Sequence, residues 1–183
     1  MLHKSHFLNA GFTLAELMAV VIIVAVLSAM ASGSYKKAVE RSRISDGLLA
    51  ATAVIEAVNR DYAERFPASN TSSYRPKISQ LDISFANQKA CTTASDYCVK
   101  TKYFETTITK PSTSNINQYA EAKRMKGATA GDFAIRVYSS DFGSDRYKTP
   151  RCVGLTNTGK DLCVSAGYTS TETCGSYTCY YKP

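Results

Sequence analysis

The chain opens with an apolar stretch that is long enough to cross a membrane. Residues 12–31, FTLAELMAVVIIVAVLSAMA, contain a single charged side chain, that of Glu16. At about 1.5 Å per residue, twenty helical residues cover about 30 Å, which matches the hydrocarbon core of a bilayer. The pattern therefore predicts a membrane-spanning helix that carries one carboxylate near its beginning.

A second helical pattern follows, and it is amphipathic. Apolar positions recur at steps of three and four, while charged side chains occupy the other faces. Gly33, between two serines, favours a kink or local melting, and Pro67 with the polar run after it ends the helix. The apolar face predicts packing against a sheet through Ile44, Leu48, Ala51, Ile55, Val58, Tyr62 and Phe66.

The rest of the chain reads as a small β-rich head. The clearest strand is DFAIRVYSS, residues 132–140, in which apolar side chains alternate between two faces. RCVGLT and LCVSAGY flank a turn at residues 157–160 and predict a hairpin, and YTCYYKP offers a last strand. Most of residues 77–128 is predicted to be loop, with a strand-like stretch at residues 103–109. The fold class is therefore α+β, with a long N-terminal helix packed on a small antiparallel sheet.

The position of Glu16 separates three interpretations of the apolar run. A secretory signal peptide is supported by Ala29-Met30-Ala31, a cleavage-site pattern, but a carboxylate at the start of its apolar region is atypical. A simple membrane anchor tolerates an acid near the helix end. Neither interpretation explains the residues Gly-Phe-Thr-Leu just before the acid.

The segment GFTLAELMAVVIIVAVLSA resembles the N-terminus of type IV pilins and type II secretion pseudopilins. The matching residues are Gly11, Phe12, Thr13, Leu14, Glu16, Leu17 and Met18, with Tyr35 where many of these proteins carry a tyrosine. The resemblance covers about 25 of the 183 residues. The family often has a proline shortly before that tyrosine, where this chain has Gly33, so helix melting during assembly stays undecided.

The resemblance implies a processing site and an assembly residue. A prepilin peptidase would cut between Gly11 and Phe12 and methylate the new amino group of Phe12. Glu16 would pair with that amino group in a neighbouring subunit. The implied domains are a cytoplasmic leader (1–11), a transmembrane and filament-core helix (12–31), its amphipathic continuation (32–66) and a disulfide-stabilised head (67–183).

The resemblance also implies partners and a location. The partners are further copies of the chain in a filament, the peptidase, an assembly platform with an ATPase, and other minor pilins. The precursor would cross the inner membrane once, and the filament would lie at the cell surface, or in the periplasm for a pseudopilin. Adhesion, motility and DNA uptake are the functions that such a filament would serve.

Six cysteines lie downstream of the apolar run, which indicates disulfides in an oxidising compartment. Six cysteines allow fifteen pairings, and free buried thiols are the alternative to any of them. The short separations favour the pairs Cys91–Cys98, Cys152–Cys163 and Cys174–Cys179.

The composition argues against catalysis. Removal of the leader would remove both histidines, His3 and His6, and paired cysteines would leave no thiol nucleophile. No Gly-rich phosphate loop or nucleophile elbow is present. We therefore predict a protein that is not an enzyme and has no cofactor. Calcium is the one metal with candidate ligands, although the spacing fits no standard loop, at Asp132, Asp141, Asp145 and Asp161.

The whole chain has a net charge of +7; the charged residues of the head are scattered, and their densest basic cluster is residues 123–126. We predict a solvated surface segment there, with phosphate contact as the alternative, so nucleic-acid binding is not favoured. A membrane-anchored binding domain outside the cytoplasm is the rival function from another class.

Overall fold

The computed structural model describes residues 12–65, 74–91, 95–109, 118–139 and 149–183. The chain divides into two compact units, residues 1–39 and residues 40–183. The structure contains a helix candidate for a membrane span and an antiparallel sheet, so the predicted α+β class is confirmed.

One helix, α1 (Leu14–Arg65), supplies residues to both units. It is 52 residues long and passes through Ser32, Gly33 and Ser34 without interruption, so glycine produces no break there. A side chain at Gly33 would meet no atom within 4 Å. In the first unit every residue from 12 to 38 is exposed, and by length and composition this helix is able to cross a membrane.

In the second unit, α1 packs on the sheet with Ile44, Ala51, Ile55 and Val58 of the predicted apolar face buried. Phe66, predicted on the same face, lies outside the described residues. Gly47 is required by the closeness of this contact, because an added Cβ would lie 2.8 Å from Cε1 of Phe104. Phe104 in turn meets Phe133 with its ring edge, at a centroid distance of 6.2 Å. The buried residues of α1 are Ile44, Gly47, Ala51, Val54, Ile55, Ala57 and Val58.

The sheet has seven strands, and every neighbouring pair is antiparallel. Its order is β1-β2-β3-β4-β5-β7-β6. The strands are β1 (Cys98–Lys100), β2 (Phe104–Ile108), β3 (Tyr119–Lys126), β4 (Thr129–Tyr138), β5 (Arg151–Gly154), β6 (Ser170–Cys174) and β7 (Tyr177–Tyr181). A short 3-10 helix (Ile78–Gln80) precedes β1, and α2 (Asn157–Ser165) follows β5.

The strands predicted at residues 132–140 and at the C-terminus correspond to β4 and β7. Within residues 77–128, the predicted strand-like stretch 103–109 corresponds to β2, whereas β1 and β3 lie in sequence that is predicted to be loop. Strand β3 alternates between two faces, but its inward positions include the small residues Ala120 and Ala122, and its other positions are largely charged. Such a strand has no β-branched residue and a single aromatic one, Tyr119, so it lacks most of the residues by which strands are recognised.

The predicted hairpin between Cys152 and Cys163 is also wrong. Cys152 lies on β5, but Cys163 lies on α2, which begins after the N-cap residue Thr156. The Thr156 hydroxyl accepts a hydrogen bond from the Gly159 N–H at 3.1 Å. Gly159 is not a turn residue; an added Cβ would overlap the Asp132 carbonyl oxygen at 1.7 Å. The run Asn-Thr-Gly therefore starts a helix that packs closely on β4.

Three disulfides join the cysteines that are nearest in sequence. Cys91–Cys98 ties the segment before β1 to that strand, and Cys174–Cys179 closes the β6–β7 hairpin. Cys152–Cys163 joins β5 to α2, and both of its residues are fully buried. The Cys152–Cys163 disulfide therefore links a strand and a helix inside the core.

We expect the Cys152–Cys163 disulfide to contribute most to stability. Cys152→Ala with Cys163→Ala should lower the free energy of unfolding by about 3 kcal/mol, because the crosslink restricts the unfolded chain. The matched control is Cys174→Ala with Cys179→Ala, which opens a shorter loop and should cost less. Urea unfolding of the full chain in detergent measures both values, and a larger loss for the control pair would contradict this assignment.

Candidate functional site

The first candidate site lies at the beginning of α1. Phe12 is 85% exposed, and Glu16 lies in the first helical turn. Gly11, the residue before the predicted cleavage point, lies outside the described residues. The structure therefore places one member of the predicted processing pair, together with the predicted assembly residue.

Glu16 forms a reciprocal cap with Thr13, the residue before the first helical position. Its Oε2 accepts hydrogen bonds from the Thr13 N–H and from the Thr13 hydroxyl, both at 2.8 Å. The Glu16 N–H donates to the Thr13 hydroxyl oxygen at 3.3 Å. This capping box satisfies backbone donors that an unpaired helix end would leave without partners.

The capping box gives Glu16 a second role that the sequence interpretation missed. Thr13-Leu14-Ala15-Glu16 has the Thr-x-x-Glu spacing of a capping box, so the signal was present in the sequence. Both side-chain hydrogen bonds end on Oε2. Within the described residues Oε1 has no hydrogen-bond donor, so it can accept one from another molecule.

The second unit contains a charged cluster between α1 and the sheet. Arg124 holds Glu40 with two hydrogen bonds, from Nε at 2.9 Å and from Nη2 at 2.8 Å. The Arg124 side chain is 6% exposed and that of Glu40 is 23% exposed. Arg124 also donates to the carbonyl oxygens of Tyr103 and Met125. The pair joins residues 84 positions apart and fixes α1 to β3.

Local features of the chain make room for Arg124. The register between β3 and β4 shifts between Lys123 and Met125, on either side of this residue. A Cβ at Gly131 would lie 2.7 Å from Cγ of Arg124, so the glycine leaves space for the side chain. The interpretation of residues 123–126 as a solvated segment is therefore wrong for Arg124, which is buried. Arg124 pairs with Glu40, whereas Lys126 pairs with Asp132.

Two carboxylates in the second unit are stabilised in their charged form. The hydrogen bond from Arg124 lowers the pKa of Glu40 below its ordinary value of 4.5, against an opposing effect of burial. The hydrogen bond from Lys126 likewise lowers the pKa of Asp132. Both groups therefore favour the folded state most strongly when they are ionised.

The candidate calcium ligands are not brought together among the described residues. Asp132 pairs with Lys126 and accepts a hydrogen bond from the Thr156 hydroxyl at 3.0 Å. Asp161 is exposed on α2, and Asp141 and Asp145 lie outside the described residues. Glu105 lies near Cys98, but that sulfur belongs to a disulfide and is not available as a thiolate ligand.

Comparison with known proteins finds a family motif at the N-terminus. Residues 7–32 match the family model described as the prokaryotic N-terminal methylation motif. A type IV major pilin protein PilE of Neisseria gonorrhoeae is 30% identical over 120 residues, which cover 64% of this chain and 65% of the relative. A PilE1 of the same species is 38% identical over 68 residues, 36% of this chain and 41% of the relative.

A fimbrial protein of Neisseria meningitidis serogroup A is also 38% identical over 68 residues, 36% of this chain and 40% of the relative. The chain thus spans from two fifths to just under two thirds of the length of these relatives. No solved structure matches. Over the parts that they cover, the methylation motif and these relatives make the chain similar to type IV pilins.

We expect Arg124→Met to destabilise the second unit by about 2–3 kcal/mol. The cost lies at or below the value for a fully buried pair, because Glu40 is partly exposed and can be hydrated. Arg41→Met, at an exposed position of α1, is the matched control and should cost less than about 0.5 kcal/mol. Urea unfolding followed by circular dichroism compares the two; equal losses would contradict the role assigned to Arg124.

Stability should also depend on pH in the acid range. Because the pKa of Glu40 is lower in the folded than in the unfolded state, its contribution is complete above pH 4.5. It is lost as the pH falls through the lowered value. Arg124→Met should therefore flatten the acid limb of a plot of unfolding free energy against pH, whereas an unchanged slope would show that Glu40 is not coupled to Arg124.

Proposed function

We propose that this chain is a structural subunit of a type IV pilus-like filament that polymerises through its N-terminal helix. The observation that carries the proposal is the exposed apolar helix in the first unit, with Glu16 as its one charged residue up to position 35. A pilin-like structural subunit also agrees with the methylation motif and the pilin relatives.

The apolar surface of this helix has to be covered. Burial of a large apolar side chain is worth about 1.5–3 kcal/mol, so a dozen of them cannot remain in water. A bilayer covers them before assembly, and the helices of neighbouring subunits cover them in a filament. The exposed side chains are Phe12, Leu14, Leu17, Met18, Val20, Val21, Ile22, Ile23, Val24, Val26, Leu27 and Met30.

Glu16 supplies the specific contact in an otherwise non-directional apolar interface. Inside a filament core its carboxylate is costly unless it is paired. The amino group of Phe12, created by cleavage after Gly11, is the cation that a neighbouring subunit would offer. Since the capping box uses Oε2, the second oxygen can accept this hydrogen bond without loss of the cap. The pair would set the register between successive subunits.

The proposed life cycle requires further partners. A prepilin peptidase removes residues 1–11 and methylates Phe12, and an ATP-driven platform extracts the subunit from the inner membrane. Other minor pilins join the same filament. The domains proposed from the sequence keep their roles: leader (1–11), membrane and core helix (12–31), its continuation (32–66) and head (67–183).

A fibre at the cell surface is favoured over a periplasmic pseudopilus. The relatives in the comparison are named as major pilins and fimbrial proteins, and the disulfides suit an exposed surface. Adhesion, motility and DNA uptake are the uses proposed for the fibre. A pseudopilin of type II secretion and an anchored binding domain are the alternative functions.

Glu16→Gln tests the proposed assembly contact. Glutamine at this position still completes a capping box but carries no charge, so the helix should remain intact while the pair with Phe12 is lost. We expect at least a ten-fold loss of sheared filaments, because an unpaired partner in such an interface costs several kcal/mol. Immunoblots of sheared and membrane fractions from the native host measure filament yield and subunit level.

The control is Glu64→Gln, the same chemical change at an exposed position of α1. It should leave filament yield within about two-fold of the unmodified protein, as surface substitutions usually have small effects. The membrane level of both variants should match that of the parent. Normal filament yield from Glu16→Gln would contradict the proposed pair. An unmodified protein that stays in the membrane fraction and forms no filaments would favour the anchored binding domain.

A further inference from the structure

The residues just after the proposed membrane span lie at the depth of lipid headgroups. If the span ends at residue 31, Lys36 lies about 7.5 Å further along the helix at 1.5 Å per residue. The headgroup region on each side of a bilayer is about 5–7 Å thick. Tyr35, Lys36 and Lys37 therefore fall at its outer edge, within reach of phosphate groups.

The two lysines carry charge that the described part of the protein does not neutralise. Both are exposed, and neither takes part in an ion pair among the described residues. No acidic residue occurs in the chain between Glu16 and Glu40. Glu40, one helical turn beyond Lys36, is already held by Arg124 and lies 3.9 Å from Nη1 of Arg43. The positive charge of Lys36 and Lys37 is thus available to an external anion.

The neighbouring tyrosine also suits a membrane interface. Tyr35 is 71% exposed, and an amphipathic ring of this kind favours the level of the headgroups. Lysine side chains can extend along the helix and place their ammonium groups among lipid phosphates. Aromatic and cationic residues at this depth together indicate a lipid surface rather than bulk water.

From this arrangement we propose that Lys36 and Lys37 bind anionic phospholipid headgroups in the leaflet at the C-terminal end of the span. The inference rests on the proposed function, because it assumes a membrane-inserted subunit. The contact fixes the depth of the helix and is broken when the subunit leaves the membrane for the filament. The lysines are thus a lipid-binding site of the unassembled subunit.

Spin-labelled lipids test the proposal with the full chain. The protein is reconstituted in phosphatidylcholine vesicles with a trace of spin-labelled phosphatidylglycerol or phosphatidylcholine. Electron paramagnetic resonance then measures the fraction of each label that the protein immobilises. We expect about a five-fold preference or more for phosphatidylglycerol. In Lys36→Gln with Lys37→Gln the preference should fall close to one, while immobilised phosphatidylcholine stays unchanged.

The matched control is Lys89→Gln with Lys182→Gln, which removes the same charge from exposed positions of the second unit. This control should keep the preference of the parent protein. A preference that survives in the Lys36 and Lys37 variant would overturn the proposal. The same holds if that variant keeps its lipid preference but loses filaments, since the lysines would then contact another subunit.

The test also separates this inference from the proposed function. Immobilised phosphatidylcholine shows that the helix is inserted, so insertion without any preference for phosphatidylglycerol would overturn the lysine site alone. If neither lipid is immobilised by the parent protein, no span is inserted. That result would overturn the proposed membrane stage and the lysine site with it.

Discussion

The structure depends first on the need to remove the apolar surface of α1 from water. In the first unit the helix has no cover of its own, since all residues from 12 to 38 are exposed. Apolar burial is strong but non-directional, so lipid and a neighbouring helix remove the apolar side chains from water almost equally well. A helix of this kind can replace its contacts with lipid by contacts with neighbouring helices. The proposed passage from membrane to filament requires this replacement. In the proposed filament, the pair made by Glu16 sets the register between subunits, which non-directional apolar contact cannot do.

In the second unit, by contrast, α1 is held firmly against the sheet. The helix is held by a packed apolar face around Gly47 and by the two hydrogen bonds between Glu40 and Arg124. Disulfides crosslink the surrounding strands, and Cys152–Cys163 joins α2 to the sheet. The helix thus has an exposed segment whose apolar side chains are not covered and a second segment that is held to the sheet. The proposed polymerising subunit requires both.

The sequence predicted α1 and β4, and the features that it did not predict have physical reasons. The period of the apolar residues predicted α1 and its sheet-facing side, and the alternation in residues 132–140 predicted β4. Strand β3 was hidden because its buried positions include small alanines. The start of α2 resembled a turn, since close packing and chain reversal both select glycine. Arg124 could not be assigned to Glu40 because a pair separated by 84 residues leaves no local pattern.

In the proposed function, processing leaves Phe12 as the first residue, and the apolar part of α1 that follows it forms the filament core. The most direct test is the N-terminal residue and mass of the protein purified from its native host. The account predicts an N-terminal Phe12 whose mass includes one added methyl group. An N-terminus at Ser32, produced by cleavage after Ala31, would mean that the apolar helix had been discarded and would contradict the account.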